Sequence, residues 1–307
     1  MTIEIFNNDC WEHIKTLKDN SVDSIVTDPP YDISFMNKGW DKNSIVSNPE
    51  FWKECLRVLK PGSHLLAFSH SRTSHRQTTA IEDAGFEIRD TIMWLYSGFP
   101  KSHNVGKTTG KEEWNGWGTA LKPAYEPVVM ARKPLEGSVA ENVLKWKTGA
   151  INIDACRIGE EEITINRWSD GSKPFGNGAG HPYKTVSVTG RWPANVILDE
   201  ETGKVLDSQM EGASRFFYCP KVNKKERNAG CDKNDHPTVK PIALMEYLIK
   251  LVTKQEHTVL DPFMGSGSTG MAAKRLGRNF IGIEREEAYF EIAKARLKQT
   301  LDIPEDQ

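Results

Sequence analysis

A short acidic turn is the first part of this sequence that is suited to chemistry. Asp28-Pro29-Pro30-Tyr31 directly follows the apolar run Val22–Thr27. The two prolines restrict the backbone, so the Asp28 carboxylate and the Pro29 carbonyl can point the same way as adjacent acceptors. Two such acceptors can hold both hydrogens of an aromatic NH2 group, and Tyr31 offers a flat face for stacking. A proline-stiffened β-turn without a ligand is the alternative interpretation.

A glycine-rich stretch is the second candidate site. Gly265, Gly267 and Gly270 have the spacing of a nucleotide-binding turn, after an apolar run that ends in Asp261 and before another acid, Glu284. A dinucleotide would place a pyrophosphate here, and the Asp261 carboxylate would repel it. S-adenosylmethionine carries an ammonium and a sulfonium group and no phosphate, so it fits this carboxylate better. A dinucleotide site and a turn without any ligand are the alternatives.

The hydrophobic periodicity of the sequence predicts the strands and helices that position these two turns. Apolar and amphipathic runs alternate, which predicts parallel strands joined by helices in an α/β fold. Strands are predicted at 22–27, 64–69, 86–95, 126–132, 258–261 and 280–283. Helices are predicted at 51–59, 72–84 and 242–251. Two more are predicted, one from the glycine-rich stretch to residue 276 and one at the end of the chain.

The sequence divides into three parts. Too few residues follow Gly270 to complete a doubly wound sheet, so the other strands must come from earlier in the chain. From about residue 134 to 235 the periodicity is weak and Gly, Asn, Lys and isolated Trp are frequent, which indicates an inserted region more than a continuation of the sheet. The expected boundaries are 1–135, 136–235 and 236–307.

The composition limits the class of protein. With 38% hydrophobic and 27% charged residues and no apolar run near ~18 residues, a soluble protein without a membrane span is expected. The first residues lack the pattern of a secretory signal, so we expect a cytoplasmic protein. The 40 basic and 42 acidic residues give a net charge of −2, so any nucleic-acid surface must be local.

The five cysteines are an odd, scattered set, which predicts reduced thiols instead of a disulfide framework. A structural zinc held by Cys156, Cys219 and Cys231 with His181 or His236 is an alternative. No C-x-x-C pair is present, so no metal is predicted.

Together the two motifs resemble the amino-methyltransferases that modify adenine N6 or cytosine N4 in DNA. The amine-binding motif precedes the cofactor loop, with a variable segment between them, which resembles the permuted order of the β class. Other matching pieces are Asn8-Asp9-Cys10 and residues 57–63, 122–127 and 236–241. The resemblance covers 1–135 and 236–307. It implies a Rossmann-like, doubly wound, mostly parallel sheet, the circularly permuted methyltransferase fold, with an inserted DNA-recognition region.

The resemblance also implies roles for individual residues. Asp28 and the Pro29 carbonyl grip the target amine, and Tyr31 stacks on the flipped base. The candidate catalytic set is Asp28, Pro29, Pro30 and Tyr31. The candidate S-adenosylmethionine set is Asp9, Cys10, Asp28, Thr238, Lys240, Asp261, Phe263, Gly265, Ser266, Gly267 and Glu284.

Within the cofactor set, the glycine-rich loop lines the methionine end. Glu284 takes the ribose hydroxyls, and Asp9 and Cys10 lie near the adenine. Thr238 and Lys240 contact the methionine carboxylate. For this last pair, a plain helix N-terminus with a proline in its first turn is an equal alternative.

The implied partner is double-stranded DNA, because the resemblance points to a base that must be extruded from the duplex. Candidate phosphate contacts are Arg72 and Arg76, and a basic stretch after Phe216-Phe217-Tyr218 that contains Lys221, Lys224, Lys225 and Arg227. A solvated lysine-rich loop is the alternative for that stretch.

Asp28 in place of Ser at the first motif position favours adenine. An N4-cytosine enzyme, a nicotinamide-dependent oxidoreductase and a non-catalytic DNA-binding protein are the competing functions. The sequence leaves open a monomer or a homodimer, and a restriction–modification, phage or regulatory context.

Overall fold

The computed structural model describes residues 1–33, 45–98, 102–168, 183–220 and 239–298. Its strands are β1 (Ile3–Asn7), β2 (Val22–Thr27), β3 (Leu59–Phe68), β4 (Glu87–Leu95), β5 (Tyr125–Arg132), β6 (Ile158–Trp168), β7 (Tyr183–Arg191), β8 (Val196–Leu198), β9 (Thr258–Asp261) and β10 (Asn279–Glu284). Its helices are α1 (Cys10–Ile14), α2 (Pro49–Val58), α3 (Ser74–Asp83), α4 (Val105–Thr109), α5 (Val139–Trp146), α6 (Glu200–Gln209), α7 (Ile242–Val252), α8 (Ser268–Arg275) and α9 (Glu287–Lys298). The structure confirms the predicted α/β fold.

Eight strands form one twisted sheet in the order β1-β10-β9-β2-β3-β5-β4-β8. All neighbouring pairs are parallel except those of β5, which runs antiparallel to β3 and β4. Strand β2 lies near the centre and all six of its residues are buried, as a strand covered on both faces requires.

Hydrophobic side chains pack on both faces of the sheet. Alternate residues of a strand point to opposite faces, so Leu65 packs with α1, α2 and α3 while Leu66 packs with α7, α8 and α9. The same alternation separates Ile25 from Val26 on β2. Two helical layers around one sheet make the fold doubly wound.

The sequence and the structure differ in a few elements. Strand β1 was not predicted, and β3 begins at Leu59, before Pro61 and Gly62, which were expected to lie beyond the end of a helix. Helix α2 ends at Val58 because Leu59 is already extended, at φ −70° and ψ 142°. The predicted boundaries of β2 and β9 are confirmed.

The region predicted as an insertion contributes to the main sheet, which corrects one expectation. Strand β8 pairs in parallel with β4 and forms the last strand of the sheet. β8 is only three residues long, and it lies between Pro193 and Asp199, the N-cap of α6. A strand this short has too few residues to show a hydrophobic periodicity. Strands β6 and β7 form a separate antiparallel hairpin. The boundaries 1–135, 136–235 and 236–307 remain a proposal.

Candidate active site

The two predicted motifs lie side by side at one edge of the sheet. Strands β9 and β2 are neighbours, and the chain leaves them in opposite directions, from β9 to β10 and from β2 to β3. Such a switch point opens a crevice at the carboxyl ends of the strands. Asp261 ends β9 and Asp28 follows β2, so both acids stand at this crevice. Thr27 joins them by donating its hydroxyl to Asp261 Oδ1 at 2.6 Å.

One cavity of about 400 Å³ connects the two motifs. Its lining includes the predicted residues Asp9, Cys10, Asp28, Pro29, Pro30, Tyr31, Lys240, Asp261, Phe263, Gly265, Ser266 and Glu284. It also includes residues that were not predicted, among them Ile33, His70, Tyr96, Pro123, Glu126, Thr269 and Tyr289. The Asp-Pro-Pro-Tyr turn and the glycine-rich loop therefore line the same cavity.

A buried lysine organises the side of the cavity formed by the Asp-Pro-Pro-Tyr turn. Lys240 Nζ lies 2.6 Å from Asp28 Oδ2, 3.2 Å from Glu126 Oε2 and 3.1 Å from the Tyr31 hydroxyl. Its three hydrogens thus have three acceptors. The Tyr31 hydroxyl donates to Asp28 Oδ1 at 2.7 Å. Both oxygens of Asp28 therefore have a fixed donor, and each keeps a second lone pair.

The charges in this network determine its protonation. Burial alone lowers the pKa of Lys240, but the nearby carboxylates of Asp28 and Glu126 outweigh burial and raise it. Burial, followed by the same two negative charges, raises the pKa of Tyr31. Lys240 is therefore a cation and Tyr31 a neutral hydroxyl at neutral pH. Lys240 was predicted to contact a methionine carboxylate; the structure places its ammonium among Asp28, Tyr31 and Glu126.

Asp261 forms the centre of the other side. Its carboxylate accepts hydrogen bonds from the hydroxyls of Thr27 and Thr269, each at 2.6 Å, and from the backbone N–H of Phe263 at 3.1 Å. Burial raises the pKa of Asp261 to about 6, although these hydrogen bonds act in the opposite direction. The nearby charge of Asp28 contributes to the increase. A buried carboxylate of this kind is suited to receive a cationic group.

The glycine-rich loop is held from both ends. Glu284, at the end of β10, accepts the N–H of Gly265 and the N–H of Glu286, each at 2.8 Å. Burial raises the pKa of Glu284, and the two backbone donors partly offset this. On the other side, the fully buried Arg296 donates to the carbonyl of Ser266.

Gly267 needs to be glycine for two reasons. Its φ is +82°, in the left-handed region, and a Cβ atom there would lie 3.1 Å from the Cβ of Ala293. It is the N-cap residue of α8. The close approach of α9 thus depends on the missing side chain at Gly267.

Asp9 and Cys10 lie at the start of α1, on the cavity wall. The Asp9 carboxylate caps the helix by accepting the N–H of Trp11 at 2.9 Å. Burial, and next the charge of Asp9, raise the pKa of Cys10 to about 12, so its thiol is neutral. Phe263 lies against Phe51, with 5.3 Å between ring centroids.

The predicted DNA contacts fall partly within the described residues. Arg72 and Arg76 are exposed near the start of α3, next to His70, which lines the cavity. Thr73 between them donates its hydroxyl to the Tyr31 carbonyl at 2.8 Å, which ties this segment to the Asp-Pro-Pro-Tyr turn. Thr238, Lys221, Lys224, Lys225 and Arg227 lie outside the described residues.

The comparison with known proteins decides the family. Residues 22–295 match the N6/N4 methyltransferase family, which is described as DNA methylase. The chain belongs to this family. As a methylase it resembles the Type II methyltransferase M.HindIII of Haemophilus influenzae, with 28% identity over 95% of this chain and 94% of the relative. It is 27% identical to the Type II methyltransferase M.HpaI of Haemophilus parainfluenzae, over 92% of this chain and 70% of the relative.

Solved methylase structures share the fold. The complex of M1.HpyAVI with SAM is 25% identical, has a TM-score of 0.51, and the match covers 96% of this chain and 100% of that one. The cytosine-N4-specific PvuII DNA methyltransferase is 16% identical, with a TM-score of 0.56, covering 98% of this chain and 88% of that one. This second similarity concerns the fold alone. The family match argues against a nicotinamide-dependent oxidoreductase.

Among the residues that reasoning from sequence missed, three hold the charged groups of the site. Glu126 belongs to the piece 122–127 that carried the resemblance, but no role was assigned to it. Thr27 and Thr269, which hold Asp261, flank the motifs and gave no separate signal. Glu126 reaches Lys240 only because β5 inserts antiparallel beside β3, and local sequence does not predict that pairing.

Neither a metal site nor a membrane span occurs in the part of the methylase that the structure describes. No three His, Cys, Asp or Glu side chains there come together as metal ligands. Cys156 is buried and Cys219 is half-buried, and both are free thiols. Cys231, His181 and His236 lie outside the described residues. No described helix is long and apolar enough to cross a membrane.

Proposed function

We propose that this methylase transfers a methyl group from S-adenosylmethionine to N6 of adenine in double-stranded DNA, after the base has been flipped out of the helix. The observation that supports this most is the single cavity shared by Asp28 and Asp261 at the switch point. Direct transfer of a methyl group requires that the binding site of the amine lies next to the pocket of the cationic cofactor.

The catalytic turn acts on the amine. Asp28 and the Pro29 carbonyl accept the two N–H groups of the flipped base and draw the amine out of conjugation, which localises the nitrogen lone pair. Tyr31 stacks on the base. The cofactor, when bound, supplies a methyl group activated by a sulfonium. Asp28 is then the carboxylate best placed to receive the proton that the methylated amine releases.

The residues of the other side fit S-adenosylmethionine. Asp261 offers a buried carboxylate to a cation, and it stands where a phosphate would be repelled. Glu284 keeps a lone pair on each oxygen for the ribose hydroxyls, while its bonds to Gly265 and Glu286 hold it in place. Asp9 and Cys10 form the wall for the adenine, and Phe263 with Ser266 lines the methionine end.

DNA binding requires positive charge around this cavity. Arg72 and Arg76 stand exposed beside His70 and are suited to phosphates that flank the target. The region 136–235, with Lys221, Lys224, Lys225 and Arg227, supplies target recognition. The relatives are named Type II methyltransferases, which supports a role in restriction–modification.

The choice of adenine rests on Asp28 at the first motif position, and cytosine N4 is the second candidate. Expression in a methylation-deficient host, followed by single-molecule sequencing of the host DNA, tests both. N6-methyladenine at one sequence motif is the expected result. N4-methylcytosine would establish the second candidate. Unmodified DNA, with the chain expressed and folded, would contradict the proposal.

A further inference from the structure

The connection between β4 and β5 stands at the mouth of the cavity. It leaves the sheet at the edge where Asp28 and Asp261 lie, because β4 is parallel to β3 and β2. Its two ends, Tyr96 and Pro123, line the cavity. The N–H of Tyr96 donates to the carbonyl of Ala124 at 3.1 Å and closes the base of the connection. Residues 102–122, called here the arm, extend from this base.

The arm is held together by its own hydrogen bonds. The N–H of Val105 donates to the carbonyl of Trp117 at 3.0 Å. The N–H of His103 donates to the Thr119 hydroxyl at 3.0 Å, and the N–H of Thr119 donates to the Ser102 hydroxyl at 2.8 Å. These bonds join the two sides of the arm and give it a defined shape beside the site.

The arm exposes two tryptophans. Trp114 and Trp117 are 40% and 60% exposed, and their rings meet edge to face with 5.4 Å between centroids. Every residue from 111 to 122 is exposed, including Leu121 at 92%. Exposed apolar groups held together on one segment mark a binding surface, because their exposure to water is unfavourable.

The arm also carries three exposed lysines that are suited to phosphate contact. Lys107, Lys111 and Lys122 are exposed and form no ion pair with any other described residue. They outnumber the two acids of the arm, Glu112 and Glu113. Lysines on the same segment as exposed aromatic rings combine phosphate contact with stacking.

We propose that the arm enters the DNA duplex beside the target base, where Trp117 stacks in the space that the flipped base vacates and Trp114 braces it edge-on. This inference rests on the proposed function, since only a base-flipping enzyme leaves such a space. Flipping removes the stacking of two neighbouring base pairs, and an inserted aromatic side chain restores part of it. A second copy of the chain, packed on the same rings, is the competing occupant.

The test compares Trp117→Ala and Trp117→Phe with the unaltered chain on a duplex that carries a fluorescent analogue of the target base. Trp117→Ala is expected to weaken the Kd for this duplex by about five- to a hundredfold, the range for loss of one stacked aromatic, and to abolish most of the fluorescence increase on flipping. Trp117→Phe keeps a stacking ring and should retain most of both.

A second duplex distinguishes insertion of Trp117 into the vacated space from a contact of Trp117 elsewhere on the DNA. When an abasic site lies opposite the target base, the duplex is already opened, so the loss in Trp117→Ala should shrink to about twofold or less. The control is Glu82→Ala. Glu82 is exposed near the end of α3. Because α3 follows the carboxyl end of β3 and packs back along the sheet, its own end lies at the opposite edge of the sheet from the cavity. This variant should leave both measurements unchanged.

Several outcomes separate this inference from the proposed function. If the unaltered chain modifies no DNA, the proposed function fails. If it methylates DNA while Trp117→Ala binds both duplexes as the unaltered chain does, the inference alone is overturned. An equal loss of affinity on both duplexes would also overturn the insertion of Trp117. So would a dimer, seen by sedimentation, that Trp117→Ala abolishes while base flipping persists. Unchanged cofactor affinity and thermal unfolding establish that the variant is folded.

Discussion

The ammonium of Lys240 lies 2.6 Å from Oδ2 of Asp28, in a site where only 7% of the lysine side chain is exposed. This pair joins the segment before α7 to the turn after β2, more than 200 residues apart in the chain. The lysine shares its charge between Asp28 and Glu126, so Asp28 is held in place without losing all its strength as an acceptor. The target amine meets a carboxylate whose direction is already fixed.

Asp28→Asn should abolish most of the methylation. The amide keeps one acceptor oxygen but presents an NH2 group, which cannot accept from the target amine or from Lys240. We expect kcat to fall by about 10²-fold or more, as for the loss of one transition-state hydrogen bond, with cofactor affinity within about twofold. Steady-state kinetics and calorimetric titration measure the two quantities.

Asp32→Asn is the matched control for that variant. It removes the same charge from the same turn, and Asn tolerates the left-handed backbone of this residue, at φ +59°. Equal activity losses in the two variants would show that activity depends on the net charge of the turn. They would contradict a specific role for the hydrogen bond between Asp28 and the target amine.

Lys240→Met should destabilise the fold by leaving two carboxylates without their cation. Breaking a buried ion pair from one side costs about 3 kcal/mol in the free energy of unfolding. Adding Glu126→Gln removes one of the uncompensated charges, so the double variant should lose less than the sum of the single variants. Urea unfolding of the four proteins measures this coupling. Additive losses would show that Lys240 and Glu126 act independently.

The same Lys240 variant tests the role that the family resemblance implied. If Lys240 binds the methionine carboxylate, Lys240→Met should weaken cofactor binding by tenfold or more. If Lys240 instead holds the Asp28 carboxylate in place, as the 2.6 Å contact indicates, Lys240→Met should change the cofactor affinity far less than kcat. Calorimetric titration with S-adenosylmethionine decides between the two.

The sequence predicted the central strands and the two motifs because buried strands that end in Asp-Pro are locally distinctive. β2 and β9 have the predicted bounds. The position of Glu126 and the addition of β8 depend on which strands pair, and that choice is made by tertiary packing. The partner of Lys240 was missed for the same reason, since no local pattern brings residue 240 beside residue 28.

Cofactor affinity should depend on pH through Asp261. Its pKa is raised to about 6 by burial, so the residue is ionised at pH 7.5 and protonated at pH 5. A cationic cofactor prefers the ionised form, and affinity should therefore fall as the pH falls through 6. We expect the Kd for S-adenosylmethionine to rise about tenfold between pH 7.5 and pH 5, measured by titration calorimetry.

Asp261→Asn is the control for this dependence. It cannot ionise, so its Kd should be weaker at pH 7.5 and nearly constant down to pH 5. For folding the sign is opposite: the folded chain holds the Asp261 proton more tightly than the unfolded chain, so the contribution of this residue to stability decreases as pH rises from about 4 to 6. A steep pH dependence that persists in Asp261→Asn would assign the titration to another group.

Gly267→Ala and Gly277→Ala form a matched pair at the two ends of α8. Both glycines have a positive φ, +82° and +67°, so alanine introduces backbone strain of about 1–2 kcal/mol at either position. At Gly277 a Cβ atom meets nothing within 4 Å, whereas at Gly267 it lies 3.1 Å from the Cβ of Ala293. The added contact must move α9 or the glycine-rich loop.

Cofactor binding should therefore distinguish the two variants more sharply than stability does. Gly277→Ala is expected to lower the free energy of unfolding by about 1–2 kcal/mol and to keep the Kd for S-adenosylmethionine, because its strain lies away from the cavity. In Gly267→Ala the displaced loop no longer presents Gly265 to Glu284 at 2.8 Å, so the Kd should rise at least about tenfold. Equal Kd values in both variants would show that the loop absorbs the extra methyl group without moving, and that the contact between Gly267 and Ala293 does not shape the cofactor site.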